Sequence, residues 1–337
     1  MARIVDVARH AGVTPGMVSR VLNGDPTLRV RDETRERIRA AAEELGYAPN
    51  PAARALRRAS TGALGLVMHD LANPIYAEIL SGAQQAAVAA DHALLLGDAD
   101  ELARGERTLH TVLGGRRIDG LLLQRAGLPS DRVLAELAAA RLPTVLLNDW
   151  AAEEVSSVAL DDLAAARLAT RHVLDLGHTA IAHLAGALDS HRARQRRRGF
   201  EQALAERRLT ARPAWTAEGG WDVASGRAAA RRLLDARPRP TAIVAANVIA
   251  AIGAVGAIKE AGLALPADVS LVAIHDVWFA EHMDPPLTTV ALPLAEMGRV
   301  AVGVLLDEIN GQPAQRILIK EPAPVLTVRG STGAPRR

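Results

Sequence analysis

The spacing of apolar positions changes character along this chain. Over residues 1–46 it is helical. Ile4, Val7, Ala8 and Ala11 fall on one face and stop at Gly12. Thr14-Pro15 restarts the chain, with Thr as a good N-cap and Pro suited to the first helical position. Val18, Val21 and Leu22 then make one inward stripe that Asn23-Gly24 ends. A third helix is expected from about Asp32, with Ile38, Ala41, Ala42 and Leu45 inward and Gly46 as its left-handed stop. Asp32 is expected to cap it in place of Arg31. The next segment, residues 49–60, opens on Pro49-Asn50-Pro51 and has few apolar anchors. So short a helix is marginal alone, so this reads as a linker that folds against a partner.

From residue 62 short apolar runs recur: ALGLVM, HALLLG, GLLLQ, TVLLN, SVAL, IAHLAG, TAIVAAN and SLVAI. Ala- and Leu-rich helical stretches such as IYAEILSGAQQAAVAA separate them. Strand–helix alternation of this kind predicts parallel sheets covered by helices on both faces. The run is long enough for two such sheets with a cleft between them. The fold class expected is an all-α N-terminal domain followed by an α/β domain of two doubly wound parallel-sheet subdomains. The boundaries expected are 1–48, a linker at 49–60 and a large domain at 61–337. Its first subdomain spans about 61–160 and 293–325, its second about 161–292. The tail STGAPRR is expected to fray.

Composition narrows the function. Cysteine is absent, which removes disulfides and thiolate metal sites and suits a reducing cytoplasm. The start MARIVDVARHAGV does not read as a secretory signal, and the apolar run 61–68 is too short to cross a bilayer. Residues 1–60 hold eleven Arg against seven Asp or Glu, whereas the whole chain carries only +2. A basic excess in a small terminal unit is an electrostatic footprint for nucleic acid. Asp161-Asp162 and His172, His178 and His183 invite a catalytic or zinc reading, but no H-E-x-x-H surrounds the histidines. No P-loop, G-x-G-x-x-G or G-x-S-x-G occurs. No catalytic residue, cofactor or metal is therefore assigned, and an enzyme or a solute-binding protein of the same α/β fold is the rival reading.

Residues 6–23 read DVARHAGVTPGMVSRVLN. Two short helices joined at a tight glycine make a helix-turn-helix, whose second helix would lie in a DNA major groove. An ordinary αα-hairpin would show the same spacing. The literal string, followed by TRERIxxAAEELGYxPNPxARALR, resembles the LacI/GalR family of bacterial repressors. Further matches are GALGLVMHDLANPIYAEIL, RRIDGLLL, LGHTAIAHLAG, RPRPTAIVAAN, LPADVSLVAIHD and DPPLTTV, so the resemblance covers nearly the whole chain. It implies a homodimeric cytoplasmic repressor, working at the nucleoid, that reads a palindromic double-stranded operator. It also implies a sensor shaped like a type I periplasmic binding protein, controlled by a small-molecule effector.

Carried over residue by residue, backbone-contact roles fall on Thr14, Met17, Ser19 and Asn23, with Asn50 near the hinge. Base-reading positions fall on Pro15, Gly16 and Arg20. Pro15 and Gly16 have no side-chain donor, which leaves Arg20 as the main reader. An Arg pairing with guanine O6 and N7 supplies ~1–3 kcal/mol of discrimination, so a G·C pair is expected opposite Arg20 in each half-site. AARALRR matches the family's hinge helix, with Leu56 as a minor-groove wedge, Ala53 beside it and Arg54 meeting phosphate. A flexible basic linker is the alternative.

In the sensor the resemblance assigns Asp70, Asn73, Ile75 and Tyr76 to the effector site, then Arg194 as a ligand clamp, Trp221 as an aromatic platform, Asn247 and His275. Arg192, Arg196, Arg197 and Arg198 are read as helix-surface charge. The family pattern breaks at two places. Where Ala-Asn-Asp is common this chain has Ala246-Asn247-Val248, and where an Asp often binds sugar hydroxyls it has His275. Asn148 occupies another position that is often acidic. His275 with Arg194 favours a sugar acid or sugar phosphate over a neutral sugar, though His275 could equally donate to a neutral hydroxyl.

Overall fold

A computed structural model describes residues 2–22, 24–25, 27–47, 60–99, 117–124, 136–150 and 154–336. The chain divides into two compact units, Met1–Gly62 and Ala63–Arg337.

The first unit holds α1 (Ile4–His10), α2 (Pro15–Leu22) and α3 (Asp32–Glu44). Their apolar faces meet in a small core of Val7, Ala8, Ala11, Val18, Val21, Ile38, Ala41 and Ala42. Gly12 takes φ +62 and turns the chain sharply between α1 and α2. Thr14 caps α2, its hydroxyl accepting from Met17 N at 3.3 Å. The cap of α3 differs from expectation. Arg31 is the N-cap and makes no side-chain cap bond, while Asp32 already lies in the helix. Asp32 and Glu33 instead place negative charge in the first turn, where the helix dipole favours it. Arg37 Nε donates to Ala11 O at 3.0 Å and ties α3 to the end of α1.

Among the described residues the second unit is built on two six-stranded sheets. The first contains β1 (Ala63–Met68), β2 (Ala93–Asp98), β3 (Gly120–Leu123), β4 (Thr144–Leu147), β5 (Ser156–Leu160) and β11 (Arg316–Ile319). Its order is β11-β5-β4-β3-β1-β2 and every pair is parallel. The second contains β6 (Ile181–Ala185), β7 (Thr216–Glu218), β8 (Ala242–Ala245), β9 (Ser270–Ile274), β10 (Thr288–Ala291) and β12 (Val325–Thr327). Its order is β12-β10-β9-β8-β6-β7, antiparallel only between β10 and β12.

Six helices described from end to end cover these sheets: α4 (Ile75–Ala89), α5 (Asp162–Asp175), α6 (His191–Glu206), α7 (Val223–Asp235), α8 (Val248–Glu260) and α9 (Leu294–Ile309). They pack in pairs, α4 on α9, α5 on α6 and α7 on α8. Small residues let the backbones approach. A Cβ at Gly298 of α9 would run into Ile79 O of α4 and lie 2.7 Å from Ala83 N. The chain passes between the sheets three times: after β5, between β10 and α9, and between β11 and β12.

The tail does not fray. Ser331 is buried and its Oγ donates to Leu271 O at 2.6 Å. Gly333 N donates to Ser270 Oγ at 3.0 Å, and Gly333 O lies 2.8 Å from His178 Nε2. The tail's polar backbone finds these partners on the rim of the second sheet, so ordering it satisfies groups that would otherwise be buried alone. No described helix is long and apolar enough to cross a membrane.

Candidate functional site

Two features carry chemistry, one in each unit. On α2 the side chains divide by helical phase. Val18 and Val21 face the core, while Thr14, Pro15, Gly16 and Arg20 are exposed. Gly16 and Arg20, four residues apart, share one face. Arg20 does not hang free. Its Nε donates to Asp25 Oδ2 at 2.7 Å and its Nη2 to Thr27 Oγ1 at 3.1 Å. Bonds from the Thr27 hydroxyl and from Arg20 hold the Asp25 carboxyl down at about 2, so it stays ionised and keeps the clamp. This leaves an exposed helix face with an Arg whose guanidinium is braced by Asp25 and Thr27.

The second feature is a cavity between the two sheets of the large unit, about 410 Å³ including its open mouth. Its polar walls come from the C-terminal ends of strands: Gln124 after β3, Asn148 after β4, Trp221 after β7, Asn247 after β8 and His275 after β9. Arg192 joins them from the first turn of α6. The apolar lining is Ile75, Tyr76 and Ile79 from α4 with Leu294 and Met297 from α9. Ligand crevices of open α/β sheets lie at these strand ends. Asn148 at φ +52 and His275 at φ +70 sit in the left-handed region, a cost of about 1–3 kcal/mol each that the surrounding packing sustains.

The polar groups of this cavity are fixed by their partners. Asn73 Oδ1 accepts from Ile75 N at 3.1 Å, Asn148 Oδ1 from Leu160 N at 3.1 Å and Asn247 Oδ1 from Ala250 N at 2.8 Å. Gln124 Oε1 accepts from His69 N at 3.4 Å, and Gln124 Nε2 donates to the Tyr76 hydroxyl at 3.2 Å. Beneath them lies a fully buried guanidinium. Arg196 pairs with Asp162 at 2.6 Å, donates to Ala246 O and donates to His275 Nε2 at 2.8 Å. A guanidinium can only donate, so His275 Nε2 accepts and the imidazole proton sits on Nδ1. Burial, then the charges of Arg196 and Arg192, push the His275 pKa well below its ordinary value. His275 is therefore a neutral imidazole whose Nδ1–H is buried without a partner among the described residues.

Residues 3–50 match the family model "Bacterial regulatory proteins, lacI family", and residues 170–332 match "Periplasmic binding protein-like domain". The HTH-type transcriptional repressor PurR of Photobacterium profundum is 32% identical over 335 residues, covering 98% of each chain. The ribose operon repressor of Haemophilus influenzae is 34% identical over 333 residues, covering 97% of this chain and 98% of that one. This chain belongs to the LacI family. The crystal structure of the lac repressor dimer bound to operator and the anti-inducer ONPF, 29% identical, superposes with a TM-score of 0.79 over 99% of both chains. The chain is thus a DNA-binding transcriptional repressor of the LacI family and not an enzyme. Among the described residues no group of His, Asp or Glu is arranged to hold a metal.

Placement of the expected LacI-family positions is uneven. Asn73, Ile75, Tyr76, Trp221, Asn247 and His275 all line the cavity. Asp70 does not: it is exposed, outside the lining, and its carbonyl accepts from Asn73 N. Arg194 does not either. It is exposed and its Nη1 donates back to Asp189 O at 2.5 Å and Leu188 O at 3.3 Å. The guanidinium in the cavity belongs to Arg192, and Arg196 lies buried below it, so two of the arginines read as surface charge are interior. Helical phase is the signal that finds them. Arg192 and Arg196 fall in step with Gly199, Phe200 and Ala203 on the buried face of α6, and Arg194, Arg197 and Arg198 do not. Ile79, Gln124, Leu294 and Met297 also join the lining without a sequence cue.

On the DNA side, Met17 is half-buried against the core and Ser19 is buried, whereas Thr14, Pro15, Gly16 and Arg20 remain exposed. Asn23, Asn50, Ala53, Arg54 and Leu56 lie outside the described residues.

Proposed function

We propose that this repressor binds a palindromic operator as a homodimer, each copy laying α2 in the major groove of one half-site, and that a small molecule in the intersheet cavity sets its affinity for DNA. The observation that carries the reading is the pairing, in one chain, of an exposed α2 face bearing Arg20 with a second unit that holds a polar, strand-end cavity. On this reading residues 1–48 read DNA, 49–60 serve as hinge, 61–337 sense the effector, and the protein works in the cytoplasm at the nucleoid. The effector class is a sugar, sugar acid or sugar phosphate. Pro15 and Gly16 offer no side-chain hydrogen bond, so Arg20 reads a guanine and brings ~1–3 kcal/mol of discrimination per half-site.

Support comes from the lac repressor dimer, whose structure holds operator and a small anti-inducer together. A genome-wide footprint followed by gel shift tests the proposal. Selective shifting of inverted-repeat fragments, a steep loss of affinity with salt and a change on adding a metabolite are expected. Equal affinity for random duplex, with and without metabolites, would refute it. Methylation interference should also show a protected guanine opposite Arg20 in each half-site.

A further inference from the structure

The cavity is unbalanced in charge and in hydrogen-bonding sense. Arg192 is more than nine-tenths buried and lines the cavity. Its guanidinium lies 4.1 Å above the Trp221 ring, yet it has neither a hydrogen bond nor an ion pair among the described residues. Among the described residues nothing acidic lines the cavity. The nearby carboxylate of Asp162 is taken by Arg196. The side-chain amide oxygens of Asn73, Gln124, Asn148 and Asn247 each already accept a backbone N–H. Among the described residues the groups of this wall left without a partner are donors: the guanidinium of Arg192, the side-chain NH2 of Asn73 and Asn148, and the buried Nδ1–H of His275.

A buried cation without a counter-charge is costly, and stacking on an indole offsets only ~1–2 kcal/mol of that cost. A buried N–H with no acceptor adds a further penalty. A neutral polyol could accept from these donors but would leave the charge of Arg192 uncompensated. A carboxylate or phosphate supplies only acceptors together with the missing charge.

We infer that the ligand of this cavity is a small organic anion, carrying a carboxylate or a phosphate monoester, whose charged group is received by Arg192 and the Nδ1–H of neutral His275. The inference rests on the effector reading above and narrows it to one chemical class. It moves the anion-receiving role from Arg194 to Arg192 and makes His275 a donor, not a second cation. Ile75, Ile79, Leu294 and Met297 then enclose the uncharged body of the ligand.

The test uses the purified full-length protein and simple anions. Thermal unfolding is followed in acetate, in inorganic phosphate and in chloride at matched ionic strength. Wild type is expected to gain about 2–3 °C in acetate or phosphate relative to chloride. Whichever anion gives the larger gain identifies carboxylate or phosphate. Arg192→Gln and Arg192→Met are expected to lose that gain, and Arg192→Lys to keep part of it, since charge and not packing is at work. Trp221 emission should change with the anion in wild type and stay constant in Arg192→Gln. No specific gain in wild type, or an undiminished gain in both neutral variants, overturns the inference. Gel shifts in the same buffers separate it from the broader reading. An anion that fills the cavity without moving operator affinity counts against effector control alone. Operator release by an uncharged sugar, undisturbed by Arg192→Gln, overturns the anion assignment and leaves effector control standing.

Discussion

Replacing Arg196 with Met should be among the most damaging single changes on the sensor side. The side chain is 0% exposed and serves three elements at once: Asp162 at the start of α5, Ala246 O after β8 and His275 after β9. Its removal strands the Asp162 carboxylate, itself 2% exposed, in a place water does not reach. Breaking a buried pair from one side costs about 3–5 kcal/mol, because the remaining charge is left uncompensated. The unit Ala63–Arg337 spans 275 residues. At about 2.1 cal/mol/K of unfolding entropy per residue, 1 kcal/mol moves its midpoint by roughly 2 °C. Calorimetry of Arg196→Met should therefore show a fall of about 5–9 °C. The double variant Arg196→Met with Asp162→Asn removes both charges and should recover roughly half of that loss or more. Arg192→Met is the control within the same experiment. It deletes a buried cation that has no counter-charge among the described residues, so its midpoint should not fall. A single-variant loss under about 2 °C, or a double variant less stable than Arg196→Met, would refute the view of Arg196 and Asp162 as a coupled buried pair.

Other consequences are open to direct measurement. Burial pushes the His183 pKa down to about 3 from an ordinary 6.5, so only the unfolded chain takes up its proton between those values. Its contribution is complete above pH 6.5 and lost as the pH falls, about 2 kcal/mol by pH 5, and denaturant titrations of His183→Leu should show a shallower acid limb than wild type. Gly298→Ala drives a Cβ into the backbone of α4 and should cost about 1–3 kcal/mol, read as a lower denaturation midpoint. Asp25→Ala releases Arg20 from its brace and should lower the ratio of operator to random-duplex affinity, with random-duplex binding little changed in a gel shift.

The first unit and most of both sheets were legible in the apolar pattern, because the strands of a covered parallel sheet are apolar throughout and stand out as runs. ALGLVM, GLLL and SLVAI are buried along their whole length. The segments without a signal had physical reasons to hide. Arg316–Ile319 and Val325–Thr327 are short edge strands with exposed positions, and Thr216–Glu218 is three residues at the opposite edge. The tail is made of small polar residues, and its order comes from hydrogen bonds to Ser270, Leu271 and His178 that no periodicity encodes. At the site, family positions coincide with half of the lining residues, but a run of closely spaced arginines was assigned by position when phase decided it. Arg192 and Arg196 are one helical turn apart and face inward, and Arg194 points away. The break in family pattern at His275 was visible in the sequence. That it holds its proton on Nδ1 follows only from the neighbour on its other nitrogen.

The triple crossing of the backbone between the sheets sets the mechanics of the sensor. Neither lobe is one continuous stretch of sequence, so a single protease nick at any of the three links leaves both lobes tethered. Three links leave one lobe fewer ways to move against the other than a single link would. A ligand held at the strand ends touches residues of both lobes, such as Gln124 and Asn148 on one and Asn247 and His275 on the other, and would bias how far apart they stand.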